Sequence, residues 1–312
     1  MNGGRPANAF ASASSTRSVR AVFFGTGEVS EPFLERLGEL KVELAAVVTK
    51  PPKRRSRRGA AEPSAIERLA VSMAVPVHYS LDDLPDFDAG LVVAYGKILP
   101  AKLVESKPLL NVHFSLLPHL RGAAPIERAI LAGETESGVT LIRIVSEMDA
   151  GPILAARPVS IAGMSLSEAR RALITAGLDL IQMEGVFTSA FFSEGVEQFG
   201  EPTFAAKIGP EDLRIRPAES AEIALRRIRL ERAYLYFGAR RVIVTDAVVA
   251  AEGPPGALGT LVPLTTGGVG VKMAKGVLVP RRVRPEGTGE MDFAAFVRGL
   301  RPPGDIASAV PS

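Results

Sequence analysis

From Val19 onward the chain alternates short apolar runs with segments whose apolar residues recur at helical spacing, and this alternation constrains the fold more than any other feature. Residues 19–24 read as a strand, Gly25-Thr26-Gly27 breaks it, and 32–40 have helical spacing. A strand follows at 42–49, a helix at 64–73, and strands at 75–79, 91–95 and 109–114. A helix is expected at 123–132, then two β-rich runs at 138–145 and 153–161. Ser165-x-x-Glu168 is a capping box and opens a long helix. Strands separated by helices pair in parallel and are covered on both faces, so the expected fold is α/β, with a Rossmann-like, mainly parallel sheet between helices.

The pattern changes after residue 192. Residues 193–206 are polar and punctuated by Gly and Pro, the composition of a linker. A helix at 219–230 then precedes short runs at 233–237, 241–249, 258–263, 270–273 and 277–283, which fit a small OB-like β-barrel. The expected organisation is a catalytic domain at 19–192 and a barrel-like domain at 207–312. Residues 1–18 have too little apolar content to form a core and are expected to be a disordered tail.

Composition narrows the chemistry. The 312 residues contain no cysteine, which excludes disulfides, thiolate nucleophiles and cysteine metal sites and suits a reducing cytoplasm. No apolar run approaches the ~20 residues that span a bilayer, so no membrane role is expected. The only histidines are His78, His113 and His119, two of them in one short segment. Residues 207–312 carry 16 Lys/Arg against 11 Asp/Glu, a net +5 within a formal total of +3. That mild asymmetry permits a polyanionic partner on the C-terminal half.

Gly25-x-Gly27 lies where a dinucleotide fingerprint would, but Ser30 replaces the third glycine, so a tight strand-to-helix turn explains it better. The segment from Asn111 to Gly122 is more informative. Period two puts Asn111 and His113 on one face at a strand's C-terminal end, where open α/β sheets bind ligands. A core histidine would show the same periodicity, and Asp149 before Ala150-Gly151 would equally suit a solvated turn. Between Lys50 and Gly59 lie six cations (Lys50, Lys53, Arg54, Arg55, Arg57 and Arg58) and no acid. A solvated loop or a phosphate contact would both explain such a run.

Asn111-Val112-His113, the loop Ser115-Leu116-Leu117-Pro118 and the downstream Asp149-Ala150-Gly151, 36 residues beyond His113, together resemble the 10-formyl-tetrahydrofolate-dependent formyltransferase family. Arg121 to Ile126, Gly133-Glu134 and Gly138-Val139-Thr140 are similar to the members that formylate the amino group of methionyl-initiator tRNA. So are Val92 to Gly96 before Ile98-Leu99-Pro100, and Ala205 to Ile208. Phe114 and Pro152 depart from the residues usual at their positions, and 229–238 lacks an Asn-Pro-rich stretch.

The resemblance implies Asn111, His113 and Asp149 as catalytic groups, and Val93, Ala94, Tyr95 and Ser115, Leu116, Leu117, Pro118 as the surroundings of the folate donor. It implies Lys53, Arg54, Arg55, Arg57 and Arg58 as contacts to tRNA, with the C-terminal domain also binding tRNA. The donor would be 10-formyl-tetrahydrofolate, with no metal and no DNA partner, and the enzyme a cytoplasmic monomer. An amino sugar nucleotide is the alternative acceptor, because enzymes acting on one share the core signature. Formyl transfer develops an oxyanion while the attacking nitrogen loses a proton and the leaving nitrogen gains one, so amide, imidazole and carboxylate groups can serve it without a thiol or a metal.

Overall fold

A computed structural model describes residues 19–40, 42–54, 61–183, 194–265 and 267–300. The expected tail at 1–18 and residues 55–60 of the basic loop lie outside the described residues. The chain divides into two compact units, one of residues up to 125 with 137–160 and 170–205, the other of 126–136, 161–169 and 206 onward.

The first unit is built on a seven-stranded sheet in the order Ile153–Ser160, Glu136–Arg143, Leu109–His113, Ala89–Val93, Arg20–Gly25, Glu43–Val48, Val77–His78. Arg20–Gly25 pairs in parallel with both Glu43–Val48 and Ala89–Val93, and Ala89–Val93 pairs in parallel with Leu109–His113. Leu109–His113 and Glu136–Arg143 are antiparallel, so the sheet is mainly parallel and mixed at one side. Its central strands are apolar on both faces because both are covered. Val22, Phe24, Phe87, Tyr95 and Leu109 form a core on one face, joined by Leu103 and Val104 of the helix Ala101–Ser106.

On the other face Val112 looks toward the helices Glu31–Glu39 and Leu166–Met183. Gly177 has no Cβ, and one placed there would lie 2.8 Å from the Phe33 ring and 3.5 Å from Val112. The helix Glu31–Glu39 starts with a proline in its first turn and buries Phe33, Leu34 and Leu37. Ser64 caps Ala65–Ser72 by accepting from the Glu67 amide at 3.1 Å. The capping box at the head of Leu166–Met183 is formed: Ser165 N–H donates to Glu168 Oε2 at 2.8 Å, and Glu168 N–H to Ser165 Oγ at 3.3 Å.

The second unit carries a six-stranded antiparallel sheet, a half-barrel, in the order Tyr234–Phe237, Arg240–Ala250, Val277–Pro285, Val269–Lys272, Leu261–Pro263, with Met291–Asp292 added to Val277–Pro285. The helix Ala221–Ile228 contributes Ala224 and Ile228 to its core, and Phe293–Arg298 contributes Phe293 and Phe296, which meet Phe237. Three short helices, Ala101–Ser106, Pro210–Leu213 and Phe293–Arg298, have no counterpart in the periodicity of the sequence. Of the stretch 193–206, read from composition as a linker, the described residues 194–205 belong to the first unit, where Phe204–Ala205 pairs in parallel with Arg121–Gly122.

Candidate active site

Asn111 and His113 stand on the same face at the C-terminal end of Leu109–His113, as their spacing predicts. Asn111 is opposite Val92 on one neighbouring strand and Ile142 on the other, and His113 is opposite Thr140. His113 is buried and Asn111 half-buried. The carboxylate of Asp149 reaches them from the turn after Glu136–Arg143, with its own side chain only 16% exposed.

The three groups converge on that carboxylate. Asn111 Nδ2 donates to Asp149 Oδ1 at 3.4 Å, the backbone N–H of Gly122 donates to Oδ2 at 2.8 Å, and His113 Nδ1 lies 3.7 Å from Oδ2. The opposite ring nitrogen, Nε2, is 2.9 Å from the carbonyl of Leu120. A carbonyl only accepts, so Nε2 carries a proton and Nδ1 is the nitrogen that faces the acid. Asn111 uses one amide hydrogen on Asp149 and retains a second for another acceptor.

The backbone around this cluster is unusual. Asp149 and Leu120 are left-handed (φ 52° and 58°), as is Ala94 (φ 48°) after the adjacent strand. Such conformations are disfavoured for residues with side chains and persist where their surroundings hold them. Gly151 has to be glycine, because a Cβ there would lie 1.8 Å from the carbonyl oxygen of Arg143.

Of the residues expected around a folate donor, Val93 ends its strand opposite Val112, so 94–95 and 114–118 leave from neighbouring strand ends. Ala94 is exposed, and its carbonyl and that of Tyr95 both accept from the Thr26 hydroxyl, at 2.7 and 2.9 Å. The Tyr95 ring is turned into the core against Phe24, which leaves its main chain as the part able to meet a ligand. Burial alone pushes its phenol above the usual 10.0.

In the second loop Ser115 and Leu117 are buried while Leu116 and Pro118 are half-buried. Thr140 fastens this loop by donating its hydroxyl to the Ser115 carbonyl at 2.6 Å and accepting from the Leu117 amide at 3.2 Å. Lys53–Arg54 of the basic run forms a short antiparallel pair with Ala61–Glu62, whereas Arg55, Arg57 and Arg58 lie outside the described residues. Among the described residues no group of three or more His, Cys, Asp or Glu is arranged to hold a metal ion, and no helix is long and apolar enough to cross a membrane.

Two participants escaped the reading of the sequence. Gln198 and the buried Arg121 form a hydrogen-bonded unit beneath the Asp149 turn. Thr203 accepts from the Leu120 amide at 2.8 Å and meets His119 Nδ1 at 2.6 Å. Gln198 and Thr203 act on main-chain atoms or on a residue far away in sequence, which leaves no local spacing to recognise.

Comparison with known proteins identifies the family. Residues 19–170 match the family model described as formyl transferase. The chain is 32% identical over 298 residues to a methionyl-tRNA formyltransferase of Granulibacter bethesdensis, covering 90% of this chain and 94% of that protein. It is 33% identical over 302 residues to one of Halorhodospira halophila, covering 91% and 97%. The solved structure of a methionyl-tRNA formyltransferase from Clostridium thermocellum has the same fold at 15% identity, with a TM-score of 0.53 over 84% of this chain and 99% of that one. With its signature residues gathered at one sheet end and its similarity to these enzymes running nearly end to end, the chain belongs to the methionyl-tRNA formyltransferase family.

Proposed function

We propose that this protein transfers the formyl group of 10-formyl-tetrahydrofolate to the amino group of methionyl-initiator tRNA. The observation that carries the reading is the convergence of Asn111, His113 and Gly122 N–H on the Asp149 carboxylate, in a chain similar over about its whole length to enzymes of that name. The donor would supply the formyl carbon, held by main-chain groups of Val93 to Tyr95 and of the Ser115 to Pro118 loop. The left-handed, exposed Ala94 and the neighbouring strand ends suit a flat ligand approaching the backbone between the two loops.

Each side chain then has a distinct task. Asn111 is held by Asp149 through one amide hydrogen and offers the other to the formyl oxygen as negative charge gathers there. His113, fixed by the Leu120 carbonyl, receives with Asp149 and through water the proton released by the attacking amine and stabilises the oxyanion once charged. A proton passes to N10 of the folate as its bond to the formyl carbon breaks. The run of Lys53, Arg54, Arg55, Arg57 and Arg58 would meet tRNA phosphates, and residues 207–312 would add further tRNA contacts, in a cytoplasmic monomer. The near-full-length relatives favour this acceptor over an amino sugar nucleotide.

The test is formylation of purified methionyl-tRNA by the wild-type chain and by His113→Ala, with 10-formyl-tetrahydrofolate as donor and uncharged tRNA as control. Turnover that requires the methionyl group and collapses in the variant is the expected result. Folate binding without formylation of methionyl-tRNA would sink the proposed acceptor. Raising salt should weaken tRNA binding steeply if phosphates are the main contacts, and a shallow response would count against the basic loop.

A further inference from the structure

Gln198 is half-buried in the first unit, and every hydrogen-bonding position of its side-chain amide is used. Its nitrogen donates to the carbonyl of Asp149 at 2.7 Å and to that of Gly151 at 2.9 Å. Its oxygen accepts from Arg121 Nε at 3.0 Å and from Nη2 at 2.7 Å. The guanidinium sets the sense of the amide, since a reversed group would set donors against donors. Arg121 is itself only 7% exposed, and its remaining terminal nitrogen donates to Glu147 at 2.9 Å.

The two carbonyls that Gln198 holds bracket Asp149-Ala150-Gly151. One side chain therefore pins this turn both at the residue that carries the acid and again two residues on. Asp149 needs such a restraint, because its left-handed backbone (φ 52°) is one that a side-chain-bearing residue leaves readily unless contacts retain it. From the other side Gly151 presses so closely on the Arg143 carbonyl that the turn has little room to shift that way. Released from Gln198, the turn can relax, and its carboxylate then moves away from Asn111, His113 and the Gly122 amide together.

We infer that Gln198 is a positioning residue for the reaction: its amide hydrogens hold the Asp149 turn in the shape that presents the carboxylate to Asn111 and His113. Arg121 orients Gln198, and Glu147 steadies Arg121, so the restraint comes as a chain of charge-assisted hydrogen bonds. The consequence for activity rests on the proposed formyl transfer; the positioning of the turn does not.

Two variants separate this role from simple anchoring of Arg121. Gln198→Glu keeps an oxygen for the guanidinium but has no hydrogen for the two carbonyls, whereas Gln198→Ala loses both. Each should lower kcat for formylation of methionyl-tRNA by about tenfold or more while KM for tRNA and for donor stays within about twofold. In both variants the amide proton resonance of Gly122, which reports the bond to the Asp149 carboxylate, should move upfield. A wild-type kcat in Gln198→Glu would overturn the inference, as would a change confined to KM or an unmoved Gly122 resonance. If Gln198→Ala does not fold, Gln198→Glu decides alone. If the wild-type chain formylates nothing, the functional proposal fails while the Gly122 resonance still decides the role of Gln198.

Discussion

In the first unit, buried polar side chains gather at one end of the sheet, whereas in the second the polar groups surround an apolar core and bind mainly one another. Ser30, Thr49, His113, Ser115, Arg121, Ser137 and Thr140 are the buried polar or charged residues among those described, and all belong to the first unit. The second unit buries Phe237, Val242, Val283, Phe293 and their neighbours, and its ion pairs lie nearer the surface. Most left-handed residues with side chains, among those described, stand at that same end of the first unit's sheet. Ala94, Leu120 and Asp149 border the Asn111–His113 pair, whereas Ala74 of the first unit and Glu231 of the second follow the ends of the helices Ala65–Ser72 and Ala221–Ile228, where a left-handed residue is commonplace. Buried polar groups and strained backbone both lower stability, so their concentration in one place marks where structure has been given over to chemistry.

The largest effect expected to test this contrast is that of His113→Ala. It should reduce kcat by about 10³-fold with a stability loss near 1 kcal/mol, the value of one buried hydrogen bond. Steady-state kinetics beside denaturant unfolding would show the split, and a large loss of stability with modest kinetics would erase the contrast.

Phe237→Ala should behave in the opposite sense. Its ring lies 5.2 Å from that of Phe296 and 5.8 Å from that of Phe293, and truncation should cost about 3 to 4 kcal/mol by urea unfolding. The kcat of the molecules that remain folded should be unchanged. A fall in kcat at saturating tRNA would mean that the second unit contributes to the chemical step.

Gly151→Ala should sit between these cases. The new methyl must displace the Arg143 carbonyl, which should cost about 2 kcal/mol and lower kcat as the Asp149 turn moves. Wild-type kinetics in this variant would show that the turn tolerates movement.

The smallest effect belongs to Asp212, which Arg128 grips through both terminal nitrogens at 2.8 and 3.0 Å. That hydrogen-bonded partner holds its carboxyl below the usual 3.8, assisted by the Gly209 amide and opposed by partial burial. A depressed folded-state value stabilises the protein above 3.8, and the contribution disappears as pH falls through the folded-state value. Asp212→Asn should therefore cost about 1 kcal/mol at neutral pH, and the difference from wild type should vanish in acid. A penalty that persists in acid would assign the interaction to shape rather than charge.

How much could be read from the sequence follows from how each residue does its work. The central strands were evident because covered strands are apolar throughout, and Asn111 and His113 could be paired because a strand repeats every two residues. The helix Ala101–Ser106 only half-buries Leu103 and Val104 and buries no residue fully, so no periodicity announced it. Phe293–Arg298 is a six-residue helix, too short to show a period of 3.6. The antiparallel pairing of Leu109–His113 with Glu136–Arg143 gives no sign in the apolar runs themselves. Gln198 was hidden most completely, since nothing in its neighbourhood of Gly195, Val196, Glu197 and Phe199 indicates that its amide will reach two distant carbonyls.

The pairing of His113 with Thr140 has a consequence for how this chain can vary over evolutionary time. The same two strands align Asn111 with Ile142, and Thr140 ties down the Ser115 to Leu117 loop. A single residue inserted within either strand would turn alternate side chains to the opposite face and part the hydroxyl from its loop. An insertion at an exposed turn between the strands would leave both alignments intact. Length should therefore vary among descendants at such turns and stay fixed along 109–113 and 136–143, so that this register works as a ruler against which the site is assembled.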